Sequence, residues 1–253
     1  MPIQLLNVNN TGNVKIINRS NTGNLLLSLS NASTPTTSSK GSAFFSGTLT
    51  SKLTTSGSSD SSLQFGSGSF TIEWWQNMSA GASSFPRIFE QSSGLMVSME
   101  GSSASRTLYV WSGASFNTIG SLTSSLNGTW NHFAVVRSGS SAGNVKVYRN
   151  GVQFGAAATI ATNFTSTNPI TIGNRTSGLV TEAYSGSITN FHWIKGVSKY
   201  TSSFTPTGPI TPISGSSALL LLTETSSSLS VDSSGYNKVI TNSNVSFTAS
   251  SPF

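Results

Sequence analysis

The sequence contains no cysteine, little charge and no long apolar run. None of its 253 residues is Cys, and Asp, Glu, Lys and Arg together make up 8% of the chain. A chain without disulfides fits assembly in a reducing compartment. The longest apolar run, residues 218–222, is far too short to cross a bilayer, so we expect no membrane insertion. Residues 1–9 lack a basic region followed by a long apolar core, so we expect no signal peptide.

The few charges are also scattered. The 13 Lys and Arg outnumber the seven Asp and Glu, but they form no basic run along the chain. We therefore expect no nucleic-acid partner. No segment spaces its apolar residues as an amphipathic helix would. We therefore expect at most one helical turn, over residues 198–202.

Short strands and turns dominate what is present. Ser and Thr account for 83 residues, Gly for 24 and Asn for 21. Roughly fourteen short strand patterns are separated by turn signals every 8–12 residues or so, which is typical of a sandwich. We predict an all-β fold, a two-sheet antiparallel sandwich. Residues 50–62 are expected to form a polar loop, and residues 229–231 a strand.

The clearest strand pattern runs from Trp130 to Phe154. Apolar residues alternate with a period of two in 130–137 and again in 144–149. The Asn150-Gly151 pair that follows is a strong hairpin signal, because both central residues of a type I′ turn need a positive φ. This segment predicts an antiparallel meander of three strands.

Two parts of the chain are distinguished. Residues 1–40 are predicted to form N-terminal strands that could serve as a docking arm. Residues 41–253 are predicted to form the sandwich domain, including C-terminal strands within 218–253.

The string SFTIEWW at 69–75 resembles the F-T-I-E-x-W strand of laminin-G-like domains in the concanavalin A-like lectin/glucanase superfamily. Four further blocks are similar to the same domains and occur in the expected order: WNHFAVVR at 130–137, VKVYRNG at 145–151, ITIG at 170–173, and GSITNFHWIKGVSKY at 186–200 with FTP at 204–206. Five blocks in order over residues 43–206 are a specific signal. The resemblance implies a jelly-roll sandwich, of the kind found in bacteriophage and large-virus structural proteins.

The tail of the chain also resembles material from this family. Residues 219–222, 231–241 and 250–253 are similar to the segment that normally precedes the F-T-I-E strand. Here that segment follows the body of the domain. It either closes the same sandwich in a permuted order or pairs with a neighbouring subunit.

The acidic residues do not match the catalytic pattern of the superfamily's glycosidases. Those enzymes use a Glu-x-Asp-x-x-Glu strand, because an acid and a nucleophile must flank the scissile bond about 5 Å apart. The seven acidic residues of this chain do not form that pattern. Glu73 is read as a strand-face carboxylate, and His132 and His192 as structural residues on separate strands. We therefore predict a protein that is not an enzyme.

Two weaker kinds of site are considered. Calcium is common at the rim of laminin-G-like domains. Asp60 is the best candidate ligand for such a site, and residues 232–235 are a weaker candidate. We expect no cofactor other than a possible calcium ion. For sugar binding, Tyr109 and Trp111 alternate with Leu108 and Val110, so one pair faces outward and could form an aromatic platform. Trp75 and Trp193 are competitors, and all five Trp could instead be core or interface residues.

The favoured hypothesis is a virion structural protein that decorates a capsid, tail or fibre, assembles as a homo-oligomer with other virion subunits and contributes to attachment to host glycans. A second hypothesis is a free, extracellular carbohydrate-binding module or adhesin. A third is a divergent glycoside hydrolase, which would need two carboxylates about 5–10 Å apart across a cleft.

Overall fold

The structure is a computed structural model that describes residues 40–56, 59–102, 104–122 and 126–253. The predicted N-terminal arm, residues 1–40, lies outside the described residues except for Lys40. The described residues form three short 3-10 turns, at Ser61–Leu63, Val180–Glu182 and Ser226–Ser228. They also form fifteen strands: β1 (Ser42–Ser46), β2 (Lys52–Thr55), β3 (Phe70–Met78), β4 (Arg87–Gln91), β5 (Met96–Ser102), β6 (Ser105–Trp111), β7 (Phe116–Leu122), β8 (Trp130–Arg137), β9 (Val145–Arg149), β10 (Val152–Ala158), β11 (Ile170–Ile172), β12 (Ser185–Lys195), β13 (Ser217–Leu221), β14 (Ile240–Ser243) and β15 (Ser246–Thr248).

The strands form two antiparallel sheets, which confirms the predicted all-β jelly-roll class. The eight-stranded sheet has the order β10-β9-β8-β3-β12-β1-β15, with β13 also paired to β12. The seven-stranded sheet has the order β14-β2-β11-β4-β5-β6-β7. No helix of the described part of the chain is long and apolar enough to cross a membrane.

The core lies between the sheets and is rich in aromatic residues. Trp74 of the eight-stranded sheet stacks on Phe133 of the neighbouring strand, with ring centroids 5.7 Å apart. It also meets Phe89 of the seven-stranded sheet edge-on at 5.9 Å. Alternating residues of β3 and β12 supply this face, as period-two patterning requires. Because the inner faces are packed in this way, only the outer faces and the rims can meet a ligand.

The predicted meander from Trp130 to Phe154 is confirmed as β8, β9 and β10. Asn150 and Gly151 have φ of 50° and 80°, as the Asn-Gly turn requires.

The C-terminal tail closes the same sandwich. Strand β13 pairs with β12 and β15 pairs with β1 in one sheet, while β14 pairs with β2 in the other. Ile240 and Val245 of the tail are buried in the common core. Of the two arrangements left open by the sequence, the structure has the permuted one within a single chain.

Three local expectations were wrong. The predicted loop 50–62 contains β2, whose Thr54 and Leu53 pair with both neighbouring strands. Residues 198–202 form no helical turn, and Lys199 and Tyr200 instead bond to Thr71 and Glu73 of β3. Residues 229–231 form no strand and instead follow the 3-10 turn at Ser226–Ser228.

Candidate functional site

The predicted aromatic pair lies on the outer face of the seven-stranded sheet. Leu108 and Val110 of β6 are fully buried in the core, whereas Tyr109 and Trp111 alternate with them and are half-buried on the other side. The alternation read from the sequence therefore gives the correct orientation for this strand. Whether these two rings bind a ligand stays a prediction.

A third ring, which the sequence reading missed, joins the pair. Phe116 of β7 lies opposite Trp111 in the β6–β7 register and is 54% exposed. Its ring centroid is 4.6 Å from that of Trp111 and 6.0 Å from that of Tyr109. The signal that could have found it is the Ser112-Gly113 turn, which folds the chain back and sets the two strands in register. We call Tyr109, Trp111 and Phe116 the aromatic platform.

Polar side chains border the aromatic platform on neighbouring strands. Ser98 is directly opposite Tyr109, and Glu100 is opposite Thr107 on the same face. The Ser98 hydroxyl donates to Glu100 Oε1 at 3.0 Å, and the hydroxyls of Thr107 and Ser121 lie 3.0 Å apart. Ser98 is only 1% exposed, so the polar groups beside the partly exposed rings are Glu100 and the hydroxyls of Thr107 and Ser121. The surface is thus both apolar and able to accept hydrogen bonds.

An ion-pair network lies further along the same face. Arg87 of β4 donates to Glu182 Oε1 at 2.8 Å and to Glu90 Oε2 at 3.3 Å. Arg175 lies 3.6 Å from Glu182. Two carboxylates are thus brought near each other, as a glycosidase would need, but the guanidinium of Arg87 fills the space between them, where a glycosidic bond would have to lie.

The two competing tryptophans are placed differently. Trp193 is fully buried in the core and stacks on Phe65, with centroids 4.4 Å apart. Trp75 is on the outer face of the eight-stranded sheet, where its ring contacts His132 and Phe253. Neither is accompanied by a ring as exposed as Phe116 of the aromatic platform.

A second cluster of functional groups is buried on the outer face of the eight-stranded sheet, around Glu73. A bulge in β12, where Asn190 has φ of 55°, puts Phe191 in the core and His192 on the outer face beside Glu73. His192 Nδ1 lies 3.0 Å from Glu73 Oε1, and His132 Nε2 lies 3.4 Å from Oε2. The sequence reading treated both histidines as structural but did not foresee that they flank one carboxylate.

The connection between β12 and β13 completes this cluster. We call residues 196–216 the strap. Its Lys199 donates to Glu73 Oε1 and its Tyr200 to Oε2, each at 2.6 Å. The rings of Tyr200 and Phe204 stack and pack against Tyr148. Glu73 thus ties the strap to the sheet.

Burial by itself raises the pKa of Glu73, but the hydrogen bonds from His132 and His192 and the charge of Lys199 outweigh it and hold that pKa well below its usual value. Burial, followed by the nearby Glu73 carboxylate, raises the pKa of Tyr200. Glu73 is therefore a buried anion and Tyr200 a proton donor to it. A general acid would need the opposite shift at Glu73.

Glu73, His192 and Ser217 are joined in series like the carboxylate, imidazole and hydroxyl of a catalytic triad, because His192 Nε2 lies 2.6 Å from Ser217 Oγ. Ser217 is only 1% exposed, and its oxygen already accepts the backbone N–H of Ile213 at 2.6 Å. A nucleophilic serine must reach its substrate and keep its oxygen free to attack. This arrangement supports the packing of the strap and offers no access for a substrate.

The candidate calcium residues are engaged by protein groups. Asp60 caps the turn at Ser61–Leu63, accepting from the Ser62 N–H at 2.9 Å, and its other oxygen is paired with Lys238. Asp232 accepts from the backbone N–H groups of Leu220, Ser234 and Lys238. Across the described ranges, no group of three or more His, Asp or Glu could hold a metal ion. A calcium ion at Asp60 would have to displace an ammonium group.

The fold and the order of its strands agree with a comparison against protein families. The family model for the laminin-G-like domain, described as the concanavalin A-like lectin/glucanases superfamily, matches residues 46–198, more than half of the chain. The chain belongs to this superfamily. No curated protein matches the sequence.

Solved structures of this superfamily share the fold at low sequence identity. A putative carbohydrate binding protein from Bacteroides ovatus is 14% identical, with a TM-score of 0.58 over 83% of this chain and 59% of its own. A native heptameric SAP-like pentraxin from Limulus polyphemus is 18% identical, with a TM-score of 0.51 over 62% of this chain and 76% of its own. This chain therefore spans less than two thirds of the Bacteroides protein. At these identities the likeness shows the lectin-like jelly-roll fold.

Proposed function

We propose that this superfamily member is a non-enzymatic carbohydrate-binding domain and that the aromatic platform is its binding surface. The observation that carries the proposal is the placement of three adjoining rings, one of them more than half exposed, on an outer sheet face bordered by hydroxyls and Glu100. Burying large aromatic rings stabilises a fold, so a group of rings left exposed beside polar side chains is typical of a ligand-binding surface.

Sugar chemistry fits such a surface. A pyranose ring has a face of C–H groups that packs on an aromatic ring, while its hydroxyls donate to carboxylates and exchange hydrogen bonds with Ser and Thr. The Bacteroides protein with the same fold is described as a putative carbohydrate binding protein, which is consistent with the proposal.

We further propose that the domain works in a virion, as a structural subunit of a capsid, tail or fibre that attaches to host glycans. The absence of Cys and the largely uncharged surface rich in Ser, Thr and Asn support this setting. The partners would be other virion subunits and further copies of this chain, as in the heptameric pentraxin of the same fold. Mass spectrometry of purified particles should find the protein, and its isolation solely as a secreted monomer would favour the extracellular alternative.

The binding proposal is tested by removing rings from the aromatic platform. In the double variant Trp111→Ala/Phe116→Ala, affinity for any glycan bound by the native protein should fall at least tenfold, or about 1.4 kcal/mol. Isothermal titration with glycans first selected on an array measures this loss. Tyr236→Ala is the matched control, because this ring is also half exposed but lies outside the platform. Equal losses in the two variants, or none in the double variant, would refute the proposal.

Binding is also expected to be independent of calcium. Lys238 occupies the Asp60 carboxylate, so EDTA should change neither glycan affinity nor melting temperature. A loss of affinity with EDTA that added Ca²⁺ restores would show a calcium site that this account does not contain.

A further inference from the structure

We infer that the aromatic platform selects neutral glycans and disfavours sialylated or sulfated ones. This inference rests on the proposed function, since it names the class of ligand for the same surface. It follows from the charges that surround the three rings.

The one charged residue of β5, the strand next to β6, is negative. Glu100 is on β5, the strand next to β6, directly opposite Thr107 and diagonal to Tyr109. One of its oxygens accepts from Ser98, and no cation of the described residues lies within 4 Å of it. A sugar hydroxyl can therefore donate to Glu100, whereas a sugar carboxylate or sulfate placed there would face a like charge.

The cations of the neighbouring strands are not available to an anionic sugar. Arg87 lies two strands from Tyr109, although its Nη1 also contacts Met96, which is opposite Trp111. Its two terminal nitrogens are already bonded to Glu90 and Glu182. Arg106 shares a strand with the rings but points inward, where it donates to the carbonyls of Ala82, Ser83 and Met99. An anionic ligand would have to break an existing ion pair or approach Glu100 unpaired.

The turns that border the rings add no positive charge. Residues 92–95 and 112–115 contain only Ser, Gly, Ala and Leu, and the facing positions on β7 are Thr118 and Ser121. The platform is thus bordered by hydroxyls, by Glu100 and by an Arg87 guanidinium that is already paired with carboxylates, and this setting suits the hydroxyls of a neutral sugar.

The experiment compares an N-acetyllactosamine oligomer, and each neutral glycan bound on an array, with its sialylated and sulfated counterparts, using the full chain and Glu100→Lys. The native protein should bind the neutral member of each pair at least fivefold more tightly than the anionic member. This ratio of neutral to anionic affinity should shrink as salt is added. Glu100→Lys should shift the ratio toward the anionic member by about fivefold or more. Ser227→Lys/Ser230→Lys is the control, because it changes the net charge equally at exposed positions near the opposite edge of the sandwich.

The outcomes separate the two proposals. Binding that depends on Trp111 and Phe116 but favours anionic glycans, or a ratio that Glu100→Lys does not move, would overturn the inference and leave the proposed function standing. A native protein that binds no glycan, or binds one equally well without the rings, would overturn both.

Discussion

At the level of single residues, the sequence predicts which face of the sheet Glu73 lies on but not which residues contact it. Alternation along β3 assigns Phe70, Ile72 and Trp74 to the core and Glu73 to the opposite face, and the structure agrees. The partners of Glu73 could not be predicted, because His192, Lys199 and Tyr200 are more than 100 positions away. The bulge at Asn190, which sets the orientation of His192, also has no clear sequence signature.

Replacing Glu73 by Gln should strongly destabilise the fold. The change leaves Lys199 and both histidines without their anion, and breaking a buried ion pair in this way costs about 3 kcal/mol or more. Chemical denaturation at neutral pH measures the loss. Glu100→Gln is the control and should cost less than about 0.5 kcal/mol, since that carboxylate is partly exposed. Equal stability of Glu73→Gln and the native chain would contradict the role given to this cluster.

Acid should weaken the native protein through the same group. Because the pKa of Glu73 is lower in the folded state than in the unfolded state, its contribution to stability is complete above the unfolded value of 4.5 and is lost as the pH falls from there through the folded pKa. Free energies of unfolding measured between pH 6 and pH 3 or so should therefore fall more steeply for the native chain than for Glu73→Gln. Parallel curves would contradict the lowered pKa.

At the level of strands, those with clear period-two alternation of apolar residues could be predicted from the sequence, and those with weak alternation could not. The meander from β8 to β10 has an apolar residue at every second position and an Asn-Gly turn, so its existence and its direction could be predicted. Strand β2 has one apolar residue, Leu53, among Lys and Thr, and was read as a loop. Strand β7, which carries Phe116, has its two buried residues, Ile119 and Leu122, three positions apart. It therefore lacks period-two alternation and was not predicted.

The Asn150-Gly151 turn also holds the strap. The Phe204 N–H donates to the Gly151 carbonyl at 2.9 Å, and a Cβ on Gly151 would overlap the Phe204 carbonyl oxygen. Gly151→Ala should therefore lower the free energy of unfolding by about 2 kcal/mol more than Gly139→Ala. Gly139 also has a positive φ but has open space around its Cβ position, so it isolates the steric effect. Similar losses of unfolding free energy in the two variants would show that the strap can move away from Gly151 at little cost, and would contradict this prediction.

The C-terminal strands should be needed by both sheets. Deleting residues 240–253 removes β14 and β15, which pair with β2 and β1. Amide hydrogen exchange in β1 and β2 should then be about 100-fold faster or more, equivalent to about 2.7 kcal/mol of protection. Deleting only residues 251–253 leaves both strands and should have little effect on these amides. Unchanged protection in the longer deletion would mean that the tail does not close the sandwich in solution.

For the whole molecule, the order of five sequence blocks was enough to predict the jelly-roll and its superfamily, because each block is a core strand whose neighbours are fixed by the fold. The surface was less predictable. Tyr109 and Trp111 were found from alternation, but Phe116 and Glu100 join them through strand register, which a single sequence specifies weakly. The tail resembles family material, and its pairing with both sheets required the structure.

The central claim, that the aromatic platform is a glycan-binding surface, is tested most directly by nuclear magnetic resonance of the tryptophan indole N–H groups during titration with a bound neutral glycan. The chain has five Trp. The resonance of Trp111 should shift with saturation, while those of Trp74 and Trp193, which are buried in the core, should stay unchanged. Saturable shifts at Trp75 or Trp130 with Trp111 unmoved would place the glycan on the other sheet and contradict this account.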